Sequence, residues 1–347
     1  FDSYDFGIND TKAFFLDLSV NWTTSTPAFN KINNLFNVPM FDFTTFSALN
    51  KSGLSLIYAY GGLIPNNIDD WTSGTFVKDF YKVDVTSYPF SISPVISGGI
   101  SPGPLCDHKS IFDDKGKLYI WGGQTAYIKD QTMYIFDTFD STWSQILPLY
   151  VPAQRSSYTA TFKNGKIYFI GGIFQAILIY DIDTNDPWTI NYATNNFNIS
   201  NRYAHSAVLA PNNQSIILYG GLNPNDSIPA DYLITLDLRT FEFSEIVTKN
   251  KPSIDDVSAY HTTTVIYNNY MIVCFGDFPV KNPNRNVIRV LDLKDSTWID
   301  NFETISTNPS TTSQVSNSST KPTPPNIPTN NVNKNIIVSS IVGSIIF

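Results

Sequence analysis

The chain has 347 residues, a formal net charge of −8 at pH 7, and 15% charged against 14% aromatic residues. No cluster of Lys and Arg stands out, which excludes the electrostatic footprint of a nucleic-acid binder. Two cysteines, Cys106 and Cys274, are too few for a disulfide framework or a Cys-based metal site, and each reads as a buried free thiol.

The opening FDSYDFG has neither Met nor an apolar leader, so the sequence reads as a trimmed or partial product. Residues 1–30 hold one strand signal, FFLDL around Asp17, followed five residues later by Trp22; this reads as half a blade. Residues 40–97 carry an apolar strand, SLIYAYGG, closing at Gly61-Gly62, then FYKVDV with Asp84. Here Pro89-Phe90 stands where the later segments place a large aromatic.

The next four segments repeat one plan. Residues 104–150 run CDHKSIF, then KLYIWGG to Gly122-Gly123, then MYIFDT with Asp137, then Trp143. Residues 151–199 run SSYTATF, KIYFIGG to Gly171-Gly172, LIYDID with Asp181, then Trp188. Residues 200–250 run RYAHSAVL, SIILYGG to Gly220-Gly221, LITLDL with Asp237, then Phe243. Residues 255–302 run AYHTTTVI, a degenerate YMIVCFGD at Gly276, VIRVLDL with Asp292, then Trp298. The leading glycines fall 61, 49, 49 and 56 residues apart. A repeat of about fifty residues made of short strands signals a β-propeller. The almost wholly apolar second strand, which shows no alternation, is expected nearest the axis. Each Trp is expected to pack between blades, and each Asp to cap the turn after its strand.

Paired glycines, a Tyr/Phe-rich strand with Asp, and a following Trp resemble the kelch repeat over residues 1–302. The resemblance implies an all-β, six-bladed kelch-type propeller, here with an incomplete first blade. It also covers the central domain of galactose oxidase, and so would imply copper held by two His and two Tyr, one Tyr cross-linked to Cys. The residues argue against such a site. His108, His205 and His261 all stand 14 or 15 residues before a repeat glycine, a recurrence that makes them packing residues. Neither Cys lies in a setting like the cross-link partner. No catalytic residue, metal site or cofactor is therefore expected.

Function is then expected in the loops between second and third strands: 63–74, 124–131, 173–175, 222–230 and 277–286. Their lengths differ, as recognition loops do. The candidate binding residues are Asp69, Asp70 and Trp71 in the first loop, Asn225 and Asp226 in the fourth, and Phe278 in the last. Residues 303–335 are Ser, Thr, Asn and Pro with few apolar side chains, the composition of a disordered stalk. Residues 336–347, IIVSSIVGSIIF, are uncharged and read as the start of a transmembrane helix or a GPI-anchor signal. Seven Asn-X-Ser/Thr sequons, at Asn9, Asn21, Asn50, Asn198, Asn213, Asn225 and Asn317, permit glycosylation without demonstrating it. The expectation is a non-catalytic propeller at the cell surface that binds a protein or carbohydrate. The alternatives are a metal-dependent enzyme of galactose-oxidase-like or lyase/isomerase type, and an intracellular kelch scaffold.

Overall fold

Among the described residues, the apolar second strand of each four-stranded sheet is buried between neighbouring sheets. The computed structural model describes residues 13–32, 44–49, 55–67, 70–87, 89–125, 131–147, 152–172, 174–184, 187–194, 199–276, 288–304 and 337–340. The chain begins with β1 (Ala13–Leu16), β2 (Trp22–Thr23) and β3 (Phe29–Ile32). The first blade is β4 (Thr44–Leu49), β5 (Ser55–Tyr60), β8 (Phe80–Asp84) and β9 (Ser91–Pro94); β6 (Leu63–Asn67) and β7 (Asp70–Phe76) form a separate ribbon within it. The second comprises β11 (Lys109–Phe112), β12 (Lys117–Trp121), β13 (Met133–Asp137) and β14 (Thr142–Ile146), with β10 (Gly98–Gly99) parallel to its outer strand. The third is β15 (Tyr158–Lys163), β16 (Lys166–Gly171), β17 (Ile177–Asp181) and β18 (Trp188–Asn191). The fourth is β19 (Ser206–Leu209), β20 (Ser215–Tyr219), β21 (Leu233–Asp237) and β22 (Phe243–Glu245). The fifth is β23 (Thr262–Ile266), β24 (Tyr270–Cys274), β25 (Ile288–Asp292) and β26 (Thr297–Ile299), after which come β27 (Asn301–Phe302) and β28 (Ile337–Ser340).

Among the described residues the molecule is therefore an all-β propeller with five four-stranded blades, each an antiparallel meander. The expected six-bladed ring, its first blade incomplete, is not supported: five blades are found. The segment read as half a blade forms a three-stranded sheet ordered β28-β1-β3, with β28 antiparallel to β1 in the register Leu16↔Ile337. The apolar tail thus supplies a strand in this structure. No helix among the described residues is long and apolar enough to cross a membrane. The expected stalk, beyond Thr304, lies outside the described residues.

The innermost strand is the first of each blade, which corrects the sequence expectation. β11 lies against β4 and β15, β15 against β19, and β19 against β23, so these strands line the axis. The reason is burial. The second strand is sandwiched between neighbouring sheets, so Leu118, Tyr119, Ile120 and Trp121 are all buried. The first strand keeps small and polar residues such as Thr159, Thr161 and Ser206, which suit a narrow channel.

Hydrophobic clusters bridge each pair of adjacent sheets. Tyr60 and Phe80 of the first blade meet Phe136 and Trp143 of the second. Trp121 of the second meets Phe169 and Tyr180 of the third. Ile170 meets Leu218 and Phe243, and Tyr219 meets Met271 and Trp298. The N-terminal sheet lies between the fifth and first blades: Leu16 and Trp22 pack on Ile272 and Ile288, while Ile32 packs on Ile57 and Val83. Each outer aromatic reaches back to the preceding sheet. Trp143 lies 5.5 Å from Tyr60, Trp188 lies 4.8 Å from Trp121, and Trp298 lies 5.7 Å from Tyr219. Phe90 does the same work where Trp is missing, with its ring 5.5 Å from Phe15.

Trp22 departs from its expected place. It does not open the outer strand beside β1, which is β3; it pairs instead with β27 and stacks on Phe302 at 4.9 Å. The aspartates behave alike in all six segments. Asp17, Asp84, Asp137, Asp181, Asp237 and Asp292 each accept the backbone N–H two residues on, at 2.7–3.1 Å, the geometry of an Asx turn.

Candidate binding face at the channel mouth

The glycine pairs and the repeat His or Tyr form one interlocking device. At Gly171 (φ +82°) an added Cβ would lie 2.3 Å from His205 Cε1 and 2.9 Å from the Arg202 carbonyl oxygen. At Gly221 (φ +85°) it would lie 2.7 Å from His205 Cβ. The first glycine of one blade therefore faces the imidazole of the next, and that blade's own second glycine closes the other side. Gly61 and Gly123 flank His108 in this way, Gly122 and Gly172 flank Tyr158, and Gly220 and Gly276 flank His261. The N–H groups of Gly62, Gly123 and Gly221 donate to the carbonyls of Leu105, Arg155 and Ser258, joining consecutive blades at 2.9, 2.8 and 3.2 Å.

The three imidazoles are neutral packing groups here. Burial pushes His108 and His261 down to about 3 and holds His205 well below its ordinary value. His205 Nε2 lies 3.3 Å from Thr159 Oγ1 and His261 Nε2 lies 2.7 Å from Ser206 Oγ, in each case a first-strand hydroxyl of the preceding blade. Among the described residues no group of three His, Cys, Asp or Glu side chains could hold a metal ion. Cys106 and Cys274 are both buried and are not joined in a disulfide, and burial pushes the Cys274 thiol up.

Just before each of these residues stands a non-glycine in the left-handed region: Asp107 (φ 51°), Ser157 (φ 52°), Ala204 (φ 54°) and Tyr260 (φ 53°). That conformation is uncommon for residues with a Cβ. It is sustained by a backbone chain around the channel mouth. Ser157 N donates to Asp107 O at 3.4 Å, Ala204 N to Ser157 O at 2.9 Å, and Tyr260 N to Ala204 O at 2.8 Å. On this ring the Asp107 carboxylate accepts from Ser157 Oγ at 2.6 Å and from Gln124 Nε2 at 3.2 Å. Its pKa is raised, because burial outweighs these donors.

The predicted recognition residues distribute unevenly. Asp69 and Phe278 lie outside the described residues. Asp70 and Trp71 begin β7, so the segment expected as a loop is largely a β-ribbon, paired Leu63↔Phe76 with an irregularity between Pro65 and Asn67. Asn225 and Asp226 are exposed on a tight turn organised by Asn223, whose Oδ1 accepts Asn225 N at 2.9 Å. Tyr203 Oη donates to Asp226 Oδ1, tying that turn to the mouth beside Ala204.

Three arginines that the sequence reading passed over sit at the same end. Arg202 is 1% exposed, with Nη2 2.7 Å from Asp231 Oδ2 and 2.9 Å from Asp231 O. Arg289 Nη2 lies 3.6 Å from Asp256 Oδ1. Arg155 is 5% exposed and donates from Nη1 to Gly171 O at 3.1 Å and Ala176 O at 2.7 Å. The available signal was spacing: Arg155 and Arg202 each precede the repeat Tyr or His by three residues.

No family model matches the chain. Over 161 residues it is 21% identical to the dynein alpha chain of the flagellar outer arm from Chlamydomonas reinhardtii, covering 41% of this chain and 4% of that protein. The chain thus corresponds to a small fraction of that relative's length, and a likeness at this identity assigns it neither a family nor an activity.

Proposed function

We propose that this chain is a kelch-type propeller that binds a protein or carbohydrate ligand through the face carrying the channel mouth and the loops between second and third strands. The supporting observation is the use made of its histidines. Each imidazole is packed between a glycine of the preceding blade and one of its own, so the groups best suited to acid–base or metal chemistry serve blade packing. Recognition then falls to the features that differ between blades: the β6–β7 ribbon with Asp70 and Trp71, and the Asn225–Asp226 turn. The kelch assignment rests on the in-phase glycine pairs, Asx-turn aspartates and outer aromatics. The N-terminal sheet stands where a sixth blade would, between the fifth and the first.

The binding reading is tested by capturing a ligand on immobilised protein from glycan and protein libraries, then repeating the measurement with Trp71→Ala and Asp226→Asn. Loss of affinity with unchanged melting supports it; unchanged affinity in both variants contradicts it. The rival enzyme reading is separated by metal analysis of the purified protein, where stoichiometric copper, iron or zinc would overturn a pure binding role.

The proposal includes display at a membrane through residues 336–347. A spanning helix needs about twenty consecutive, mostly apolar residues, and this segment has twelve residues, eight of them Ile, Val or Phe. Ile337–Ser340 cannot pair with β1 and lie in a bilayer at once. Flotation with neutral liposomes, with and without residues 336–347, separates the two uses. Flotation that depends on the segment supports display; none at all favours an intracellular scaffold.

A further inference from the structure

Among the arginines at the channel-mouth end, Arg155 stands apart. Arg202 and Arg289 each have a carboxylate within ion-pair distance, Asp231 and Asp256. Among the described residues Arg155 has none, and its Nε is buried without a hydrogen-bond partner. The register shows why. Phe169 pairs with Leu178 in the third blade as Leu218 pairs with Ile234 in the fourth, so Gln175 occupies the position that Asp231 holds beside Arg202. Gln175 turns away and donates from Nε2 to Ile199 O at 3.2 Å. A buried guanidinium whose only described acceptors are neutral carbonyls is under-compensated.

Arg155 is 5% exposed, so a ligand reaches its guanidinium by displacing an exposed ring. The ring of Phe174, 43% exposed, covers the guanidinium with its centroid 4.9 Å from Arg155 Cζ. An exposed aromatic ring over one uncompensated cation suits a side chain that buries apolar stem and delivers a single carboxylate. The chain's net charge of −8 disfavours a polyanion.

We propose that Arg155 is a carboxylate-recognition point on the loop face, taking an acidic side chain of a peptide ligand in the place that Asp231 fills beside Arg202. This rests on the loop-face reading above and names the ligand chemistry for it. The sequence has five arginines, so their Nε–H groups can be followed individually by ¹⁵N–¹H NMR of the full chain. The probes are acetyl-Ala-Glu-Ala-amide, its Gln counterpart and glucuronate. The Glu peptide is expected to shift the Arg155 signal saturably and to bind about tenfold more tightly than the Gln peptide, with the Arg202 signal unmoved. Gln175→Asp, which places an internal carboxylate in register, is expected to abolish that response and raise Tm. Equal responses to the two peptides, a silent Arg155 signal, an undiminished response in Gln175→Asp, or saturation by glucuronate alone would each overturn the proposal. A captured ligand that binds wild type and Arg155→Gln equally overturns it too, while leaving the loop face as the recognition surface.

Discussion

Gly171 and His205 show how single atoms fix the spacing of blades. A methyl group on Gly171 would have to displace an imidazole and a backbone carbonyl while holding φ at +82°. Gly171→Ala is therefore expected to destabilise the fold by about 2–4 kcal/mol, read as a lower urea midpoint at unchanged m-value. The buried imidazoles set a pH dependence. In the unfolded chain each His takes up a proton below about 6.5, whereas in the fold His108 and His261 resist protonation down to about 3. Between those limits the unfolded state binds more protons, so stability falls as pH falls, by about 1.4 kcal/mol per pH unit for each such His. Urea midpoints measured from pH 7 to pH 4 should show this slope, and His108→Gln should reduce it. Asp237, held down at about 2 by Arg239, adds stability above its ordinary range near 4 and loses it as pH falls from there to about 2, so it leaves the slope between pH 7 and 4 to the imidazoles. The glycine pairs were legible in the sequence because glycine fills both left-handed positions in four blades; in the fifth, Phe275 (φ 61°) takes the first place and Gly276 the second, so Gly276 is not the leading glycine it was read as. The left-handed Asp107, Ser157, Ala204 and Tyr260 were not, because nothing in their types announces a positive φ that tertiary hydrogen bonds impose.

Strands such as Leu118–Trp121 could be read as strands, yet their place in the sheet could not. An uninterrupted apolar run says that both faces are covered; it does not say whether the axis or a neighbouring strand lies at its edge. The polar hydroxyls of β15, β19 and β23 were the overlooked signal for the channel-lining strand. The outer aromatics were more informative, because the same position recurs in every repeat and Phe90 substitutes where Trp is absent. Trp143 is 5% exposed and touches Tyr60, Phe80 and Phe136. Trp143→Ala is expected to cost about 3–5 kcal/mol, with the loss seen in global unfolding because two blades lose their shared core. The β6–β7 ribbon was read as a loop because it lies between the second and third strands of its blade; it pairs Leu63↔Phe76, with an irregularity between Pro65 and Asn67.

Closure is the property of the whole ring that the sequence left open. Counting aromatics gave six sectors, whereas counting glycine pairs and their degenerate copy gave five. The structure has the five four-stranded blades of the glycine count; the sixth aromatic unit falls at a three-stranded sheet between the last blade and the first, where Trp22 pairs with β27 instead of opening an outer strand. That sheet draws β28 from the far end of the chain, so truncation after residue 335 should bare the edge of β1. The expected results are a lower Tm and faster hydrogen exchange of the Phe14–Leu16 amides; an unchanged exchange pattern would show that β28 does not hold that edge in solution. The central claim is that the three imidazoles are packing elements and free of chemistry, which leaves recognition to the loop face. The most direct test is an NMR pH titration of the histidine rings in the folded protein, with and without added Cu²⁺ or Zn²⁺. The account predicts three neutral rings that do not titrate between pH 7.5 and about 4.5 and are indifferent to either metal. A ring that titrates near 6.5, or a shift at substoichiometric metal, would contradict it.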